Sequence, residues 1–205
     1  MVADSKERYL IPAETHRVEQ EIQRSRFIAT IAHCSTREEA ESFLRAIRQE
    51  FPDATHNCWA FQLGAPGSQQ HIGMSDDGEP HGTAGRPMLT ILTHCGIGEI
   101  AAVVTRYFGG TKLGTGGLAR AYSGSVKLAL ESLPTTERID WCQLAVTIDY
   151  PILDQFRLLL TPHEAVTESE QFTDRVRYIL QLPAENLAAF RRAVTELTSG
   201  RASFK

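Results

Sequence analysis

Residues 100–122 read IAAVVTRYFGGTKLGTGGLARAY, an apolar run followed by a glycine-rich segment and then by residues that favour a helix. The apolar run is short enough to form a central β-strand that is buried on both faces. Residues 106–117 include five glycines, although the whole chain of 205 residues has only 15. Glycine in regular structure costs roughly 0.5–1 kcal/mol relative to alanine, so this concentration indicates positive φ angles or the close approach of another group.

The glycine-rich segment has two interpretations at the level of sequence. A strand that leads through glycines into a helix, predicted here from about Leu118 to Leu133, presents backbone N–H groups that can bind phosphate. Alternatively, the glycines only let the helix pack closely on the sheet. The segment departs from a P-loop because Thr115 stands where lysine is required, and its match to the dinucleotide pattern at 114–119 lacks the later acidic residue.

Positive charge is concentrated around this segment. The whole chain has a formal net charge of −4, yet residues 82–127 contain five basic residues and one acidic residue, Glu99. This local excess indicates a defined anion site rather than a generally polycationic surface. We therefore predict an anion-binding or nucleic-acid-binding surface made of Arg86, Arg106, Gly109, Gly110, Lys112, Gly114, Gly116, Gly117 and Arg120.

A second motif, SDDGEP at residues 75–80, combines a turn signal with three carboxylates. Asp76, Asp77 and Glu79 offer the oxygen ligands that divalent cations prefer, but they lack the spacing of an EF-hand loop. The pattern favours a tight turn whose aspartates cap backbone groups and the next helix, with a metal site or a catalytic carboxylate as alternatives. We expect this acidic turn to lie near the glycine-rich segment or to support it.

The residues after the acidic turn, GTAGRP at 82–87, are typical of the start of a helix. Thr83 is the predicted N-cap, and Pro87 falls in the first turn. Free amide groups at this helix end, beside Arg86, are a second possible place for an anion, and ordinary capping is the alternative.

Composition excludes several other classes of site. Four cysteines are widely separated without a C-x-x-C pair, which disfavours structural zinc and favours reduced, mostly buried thiols. No window approaches the ~18 consecutive apolar residues of a membrane helix, and the first residues lack a signal-peptide core. We expect a cytoplasmic protein with no membrane partner, metal or cofactor, and the spacing alone assembles no catalytic residues.

The rest of the chain predicts an α+β protein with two domains. A first strand is predicted at 25–34, a helix with Thr36 and Glu39 in capping-box spacing follows, and a strand at 56–63 presents an aromatic face to the core. After Pro134 the predicted order is β-α-β-β-α-β, that of the ferredoxin-like split unit. The predicted domains are residues 1–134 and 135–205.

Read together, SDDGEPHGTAGRPML and VVTRYFGGTKLGTGGLARAY resemble the signature of the IMPACT family, and the resemblance covers roughly residues 25–133. The tail looks like the second domain of bacterial members. The resemblance implies an N-terminal domain with the ribosomal protein S5 domain 2-like fold and a ferredoxin-like C-terminal domain. Translocating elongation factors end in the same two fold types, in the same order.

The resemblance also implies a translation-linked factor with no established enzymatic activity. Eukaryotic relatives regulate translation by binding the activator of the amino-acid-starvation kinase, and they carry an additional N-terminal domain. Because only roughly two dozen residues precede the first predicted strand, neither that domain nor its partner is expected here.

Combined with the basic surface, the resemblance predicts a protein that contacts RNA or the ribosome, with a translation-associated protein as a further potential partner. Arg106, Lys112 and Arg120 would contact phosphate. Tyr107, Phe108 and Tyr122 are candidates for stacking on a base, with burial in the core as the alternative for each. One alternative is a small-molecule kinase in which Asp76 or Asp77 holds magnesium. The other is a protein-interaction module in which the glycines only pack.

Overall fold

The structure is a computed structural model of the chain and describes residues 8–69 and 71–205. These residues form two compact units, one spanning Tyr9–Arg138 and the other comprising Arg8 and Ile139–Lys205. The division lies a few residues after Pro134, because the strand Thr135–Arg138 pairs with the strand Tyr9–Pro12.

The N-terminal unit contains a five-stranded antiparallel sheet and a two-stranded ribbon. Its strands are β1 Tyr9–Pro12, β2 His16–Ile22, β3 Ser25–His33, β4 His56–Gln62, β5 Ile72–Ser75, β6 Ile100–Tyr107 and β7 Thr135–Arg138. Its helices are α1 Arg37–Glu50, α2 Gly85–His94 and α3 Gly114–Glu131. The sheet has the order β2-β3-β6-β4-β5, and β1 pairs with β7 in the ribbon.

The central strand of this sheet is β6, and its first seven residues are buried. Helices α2 and α3 cover one face of the sheet, where Phe27, Met88 and Tyr122 belong to the main core. Helix α1 covers the other face, where Leu44 and Ile47 pack beside β6. The prediction of a central strand buried on both faces is confirmed.

Two elements that precede β6 in the chain, α1 and β4, can be compared with their predictions from local sequence. The capping box of α1 is confirmed, since Thr36 Oγ1 accepts from the Glu39 N–H at 3.2 Å and the Glu39 carboxylate accepts from Thr36 N–H. The predicted aromatic face of β4 does belong to the core, since Phe61 and Leu63 are buried. Cys58 and Ala60, on the opposite face, are fully buried against α2 and α3, because β4 is an interior strand covered on both sides.

Within residues 8–24, two strands precede the first strand that the sequence predicted. Strand β2 pairs with β3 through a two-residue turn in which Gln23 and Arg24 have φ angles of 48° and 66°. Such a turn ordinarily uses Asn-Gly or Asp-Gly, so the sequence lacks its usual signal. Helix α3 was also expected from about Leu118, but it begins a turn earlier, at Gly114.

The C-terminal unit has the predicted order β-α-β-β-α-β. Its elements are β8 Trp141–Ile148, α4 Leu153–Leu160, β9 Val166–Phe172, β10 Val176–Pro183, α5 Leu187–Leu197 and β11 Ser203–Phe204. They form an antiparallel sheet in the order β11-β8-β10-β9. Fully buried aromatic residues from α4, β10 and α5 fill its core, namely Phe156, Tyr178 and Phe190.

In the part of the chain that the structure describes, no helix is long and apolar enough to span a membrane. The four cysteines are free thiols, and Cys34 and Cys58 are buried. Burial raises the pKa of each of these two thiols to about 12, so both are protonated at neutral pH.

Candidate functional site

The glycine loop, here residues 108–117, connects β6 to α3 and includes the first turn of that helix. Gly109 packs against the β2–β3 turn so closely that a Cβ atom there would lie 1.8 Å from the Arg24 carbonyl oxygen. Gly110 and Gly114 have φ angles of 85° and 71°, which residues with a side chain rarely adopt. Backbone packing and backbone conformation therefore account for these three glycines.

The two remaining glycines of the loop differ from each other. A Cβ atom on Gly117 would lie 2.9 Å from the Leu113 Cβ, so this position is also restricted by packing. A Cβ atom on Gly116 would meet only Arg120 Nη1, at 3.5 Å, which is an ordinary contact. Gly116 is exposed and has no packing requirement of its own. The guanidinium of Arg120 therefore lies next to Gly116, in the first turn of α3.

The N-terminus of α3 has no side-chain cap among residues 8–69 and 71–205, and its first turn contains no acidic residue. The N–H groups of Gly114, Thr115 and Gly116 lie in the part of a helix that lacks intrahelical acceptors. The helix dipole adds roughly half a positive charge at this end. Lys112 is exposed just before it. The first turn thus carries backbone donors that no described side chain caps, and a cation precedes it in the chain.

The sequence led us to expect Arg106 on a surface with Lys112 and Arg120, but the structure buries it. Only 5% of its surface is accessible. Its Nη1 donates to Glu79 Oε1 at 2.5 Å, and its guanidinium packs over the rings of Phe27 and Phe108. The Arg106 Nε–H is buried and has no acceptor among the described residues. Arg106 therefore supports the glycine loop from below.

Glu79 joins three elements beneath the loop. The Tyr122 hydroxyl donates to its Oε1 at 2.8 Å, and burial raises the pKa of Tyr122 well above its ordinary value. His56 Nε2 lies 3.9 Å from the same oxygen. His56 Nδ1 is 2.8 Å from the Asp77 carbonyl oxygen, which only accepts, so Nδ1 carries the proton in neutral His56. The sequence did not indicate His56 or the role of Tyr122, because neither is close to Glu79 in the chain.

A cavity of about 410 Å³ lies between this buried cluster and the glycine loop. His56, Glu79 and Arg106 form its polar floor. Because the Glu79 carboxylate faces the Arg106 guanidinium, the two formal charges of the floor balance.

The other walls of this cavity differ in character. One wall is apolar and includes Pro80, Phe108 and Leu118, with 47% of the Phe108 surface exposed. The last side consists of Lys112, Gly114 and Thr115 at the start of α3. The cavity therefore combines an apolar wall, a neutral polar floor and a rim that attracts anions.

The acidic turn has the capping role that the sequence favoured, although the predicted N-cap was wrong. The N-cap of α2 is Ala84, and Thr83 Oγ1 instead donates to the Pro80 carbonyl. The Asp76 carboxylate accepts from the N–H groups of Gly82, Ala84 and Gly85 at 2.7, 3.0 and 2.9 Å. These three amides are not free, so the Asp76 carboxylate already occupies donors that an anion beside Arg86 would use.

The pKa of Asp76 reflects this capping. Burial raises it, but the three N–H groups, together with His81, more than offset burial and hold the pKa below its ordinary value. The Asp77 carboxylate accepts from the Asn57 N–H and from Arg48, both at 2.7 Å. Both aspartates therefore have structural partners, and Glu79 is the member of the acidic turn that lies beneath the glycine loop.

The structure brings together only part of the predicted surface. Arg106, Lys112 and Gly114 line the 410 Å³ cavity, and Gly116 and Arg120 lie in the adjacent helix. Arg86 instead lines a different cavity, with Asp76. Among the residues that the structure describes, no group of three or more His, Cys, Asp or Glu side chains is arranged to hold a metal ion.

Comparison with known proteins gives consistent matches along the chain. The Impact N-terminal domain matches residues 23–130, and a domain of unknown function, DUF1949, matches residues 146–201. The chain is 41% identical over 194 residues to the IMPACT family member YigZ of Escherichia coli, covering 95% of each protein. It is 37% identical to the IMPACT family member YvyE of Bacillus subtilis, covering 90% of this chain and 84% of YvyE. A crystal structure described as that of a hypothetical protein is 40% identical, with a TM-score of 0.68 over 97% of this chain and 96% of that chain.

Proposed function

Because the chain belongs to the IMPACT family, we propose that it is a non-enzymatic, translation-linked regulatory factor that contacts RNA or the ribosome at the first turn of α3. One observation carries the proposal. The free N–H groups of Gly114, Thr115 and Gly116 lie between two exposed cations, Lys112 and Arg120, and no carboxylate caps them among the described residues.

The contrast with α2 in the same unit supports this assignment. There, Asp76 accepts from three backbone N–H groups at the helix start, so that end satisfies its own donors. A phosphate group of RNA is an acceptor of matching charge for the equivalent donors of α3. The exposed ring of Phe108, next to this rim, adds a surface on which a base can stack.

We also propose the fold assignments that family membership implies. The N-terminal unit, with helices on both faces of an antiparallel sheet, is assigned to the S5 domain 2-like fold. The C-terminal unit, with strand order β11-β8-β10-β9, is assigned to the ferredoxin-like fold.

The two alternative functions receive less support. A magnesium-dependent kinase would need Asp76 or Asp77 as a metal ligand, but their oxygens already accept hydrogen bonds from Gly82, Ala84, Gly85, Asn57 and Arg48. A purely structural role accounts for the other glycines of the loop but not for Gly116, which has open space around it.

The proposal is tested by co-sedimentation of the protein with ribosomes at low and moderate salt. We expect association that weakens with salt and that falls about tenfold or more in Lys112→Glu/Arg120→Glu, because two phosphate contacts are lost. The slope of log affinity against log salt should also become shallower, by about 0.7–0.9 for each lost contact. Lys127→Glu is the matched control, because Lys127 is exposed on the same helix but roughly 20 Å further along its axis than Gly114. Equal loss in the control, or no association of the wild-type protein, would reject the proposal.

A further inference from the structure

Resting on the function proposed above, we infer that the 410 Å³ cavity accepts the nucleoside part of one nucleotide of single-stranded RNA, whose phosphate binds at the start of α3. The first reason is continuity. Lys112, Gly114 and Thr115 belong both to the anion-binding rim and to the cavity wall. A phosphate held by these residues therefore has its attached sugar and base at the mouth of the cavity. The volume is within the range of roughly 300–1,000 Å³ that is common for small-ligand sites.

The distribution of charge fixes the direction in which a nucleotide would lie. The floor contains the Glu79–Arg106 pair, whose charges balance, whereas the rim has the cation of Lys112 and the positive end of α3. A phosphate group on the floor would face the Glu79 carboxylate. The anionic part of a ligand therefore belongs at the rim, and an uncharged base or ribose belongs inside.

The walls of the cavity offer contacts that suit a base. Pro80, Phe108 and Leu118 form an apolar side, and Phe108 keeps 47% of its surface exposed although it is a large hydrophobic residue. Exposed aromatic rings are the usual stacking partners of unpaired bases. The side chains of this apolar side have no hydrogen-bond donors for a free inorganic anion.

The polar floor provides an independent observation that points to a ligand. The Arg106 Nε–H is buried without an acceptor in the described part of the chain, and Arg106 lines the cavity. Buried donors are nearly always paired, so this unpaired group sets the floor apart from an ordinary protein interior. His56 Nε2, 3.9 Å from Glu79 Oε1, lies in the same floor. The polar floor thus suits a base edge or a ribose hydroxyl better than it suits an apolar group.

This arrangement distinguishes single strands from duplexes. A base inside the cavity has left its helical stack, so a paired base cannot enter without being extruded. Backbone contact at the rim alone would make no such distinction. We therefore expect the protein to bind a single-stranded RNA about tenfold or more tightly than a duplex of the same length at equal salt.

The inference is tested by measuring affinity of the full chain for a short single-stranded RNA, the matching duplex, the four nucleoside 5′-monophosphates and inorganic phosphate. The key variant is Phe108→Ala, with Phe172→Ala as control. Phe172 is an aromatic residue with 54% of its surface exposed, and it does not line the cavity. Thermal unfolding establishes that both variants are folded.

We expect the wild-type protein to bind the single strand more tightly than the duplex, and at least one nucleotide more tightly than inorganic phosphate. Phe108→Ala should bind that nucleotide and the single strand about tenfold more weakly, whereas Phe172→Ala should bind both as the wild type does. Equal binding of single strand and duplex, sensitive to Lys112→Glu but not to Phe108→Ala, would overturn the cavity inference and leave the proposed function standing. If the protein bound nucleotides but neither RNA nor ribosomes, the ligand of the cavity would be a free nucleotide and the proposed function would be overturned. No binding of any probe would overturn both.

Discussion

Arg106 and Glu79 are 27 residues apart in the chain and form a buried ion pair, 2.5 Å from Nη1 to Oε1, beneath the glycine loop. Removing one partner leaves an unpaired buried charge, so we expect Glu79→Gln and Arg106→Gln each to lower the free energy of unfolding by about 3–5 kcal/mol. The double variant should lose less than the sum of the two. Urea unfolding of the three variants measures these values.

A surface ion pair provides the control for this prediction. Arg48 pairs with Asp77, and about half of the Arg48 side chain is exposed (49%). Arg48→Gln should cost about 1 kcal/mol or less. If Glu79→Gln cost no more than Arg48→Gln, the pair beneath the loop would not support it.

Two glycine-to-alanine substitutions should have opposite effects on stability. Gly109→Ala places a Cβ atom 1.8 Å from the Arg24 carbonyl, so we expect a loss of about 3 kcal/mol or more, since overpacking against backbone has little room to relax. Gly116→Ala has open space in a helix, so it should be neutral or stabilise the protein by up to about 1 kcal/mol. Denaturant unfolding distinguishes the two. A large loss in Gly116→Ala would mean that this glycine, too, serves packing.

Asp76 should make stability depend on pH. Because the pKa of Asp76 is lower in the folded protein than its ordinary value, its contribution is present above the ordinary pKa and is lost as pH falls through the folded value. We expect Asp76→Ala to cost about 1–2 kcal/mol at pH 7 through loss of the α2 cap. The difference from wild type should shrink below about pH 4. A difference that stays constant or widens in acid would contradict this account.

Glu99 should hold the β1–β7 ribbon to the rest of the N-terminal unit. Its carboxylate accepts from Tyr9 Oη at 2.7 Å and from Arg138 Nε at 2.9 Å, and lies 2.7 Å from His33 Nε2. Burial raises the pKa of Glu99, but hydrogen bonds from His33 and Tyr9 and the charge of Arg138 outweigh it and lower the pKa overall. Its contribution is therefore also lost as pH falls through the folded value.

We expect Glu99→Gln to cost about 1.5–3 kcal/mol, as for hydrogen bonds to a charged group. Amide hydrogen exchange should accelerate first in Tyr9–Pro12 and Thr135–Arg138, the two strands of the ribbon. Uniform acceleration across the five-stranded sheet would show that Glu99 does not act locally.

Elements that depend on local signals were predictable from the sequence. The α1 capping box needs only Thr36 and Glu39, and the buried β6 is a continuous apolar run. The β2–β3 turn was missed because Gln23 and Arg24 adopt positive φ without the residues that usually mark it.

The candidate site was only partly predictable, because its geometry depends on distant partners. The positive charge near the loop was read from the sequence as exposed, whereas Arg106 is buried by its pairing with Glu79. The five glycines of the loop look alike in sequence. The glycines differ in what a Cβ atom would meet, which at Gly109 is the Arg24 carbonyl oxygen at 1.8 Å and at Gly116 only Arg120 Nη1 at 3.5 Å.

Binding of an RNA phosphate at the first turn of α3 can be followed residue by residue in an NMR titration of the amide signals with a short single-stranded RNA at low salt. We predict that the amides of Gly114, Thr115 and Gly116 shift first and most, and that these shifts disappear as salt is raised. Binding at this turn would be contradicted if these three signals stayed fixed while amides elsewhere shifted, or if no signal responded at all.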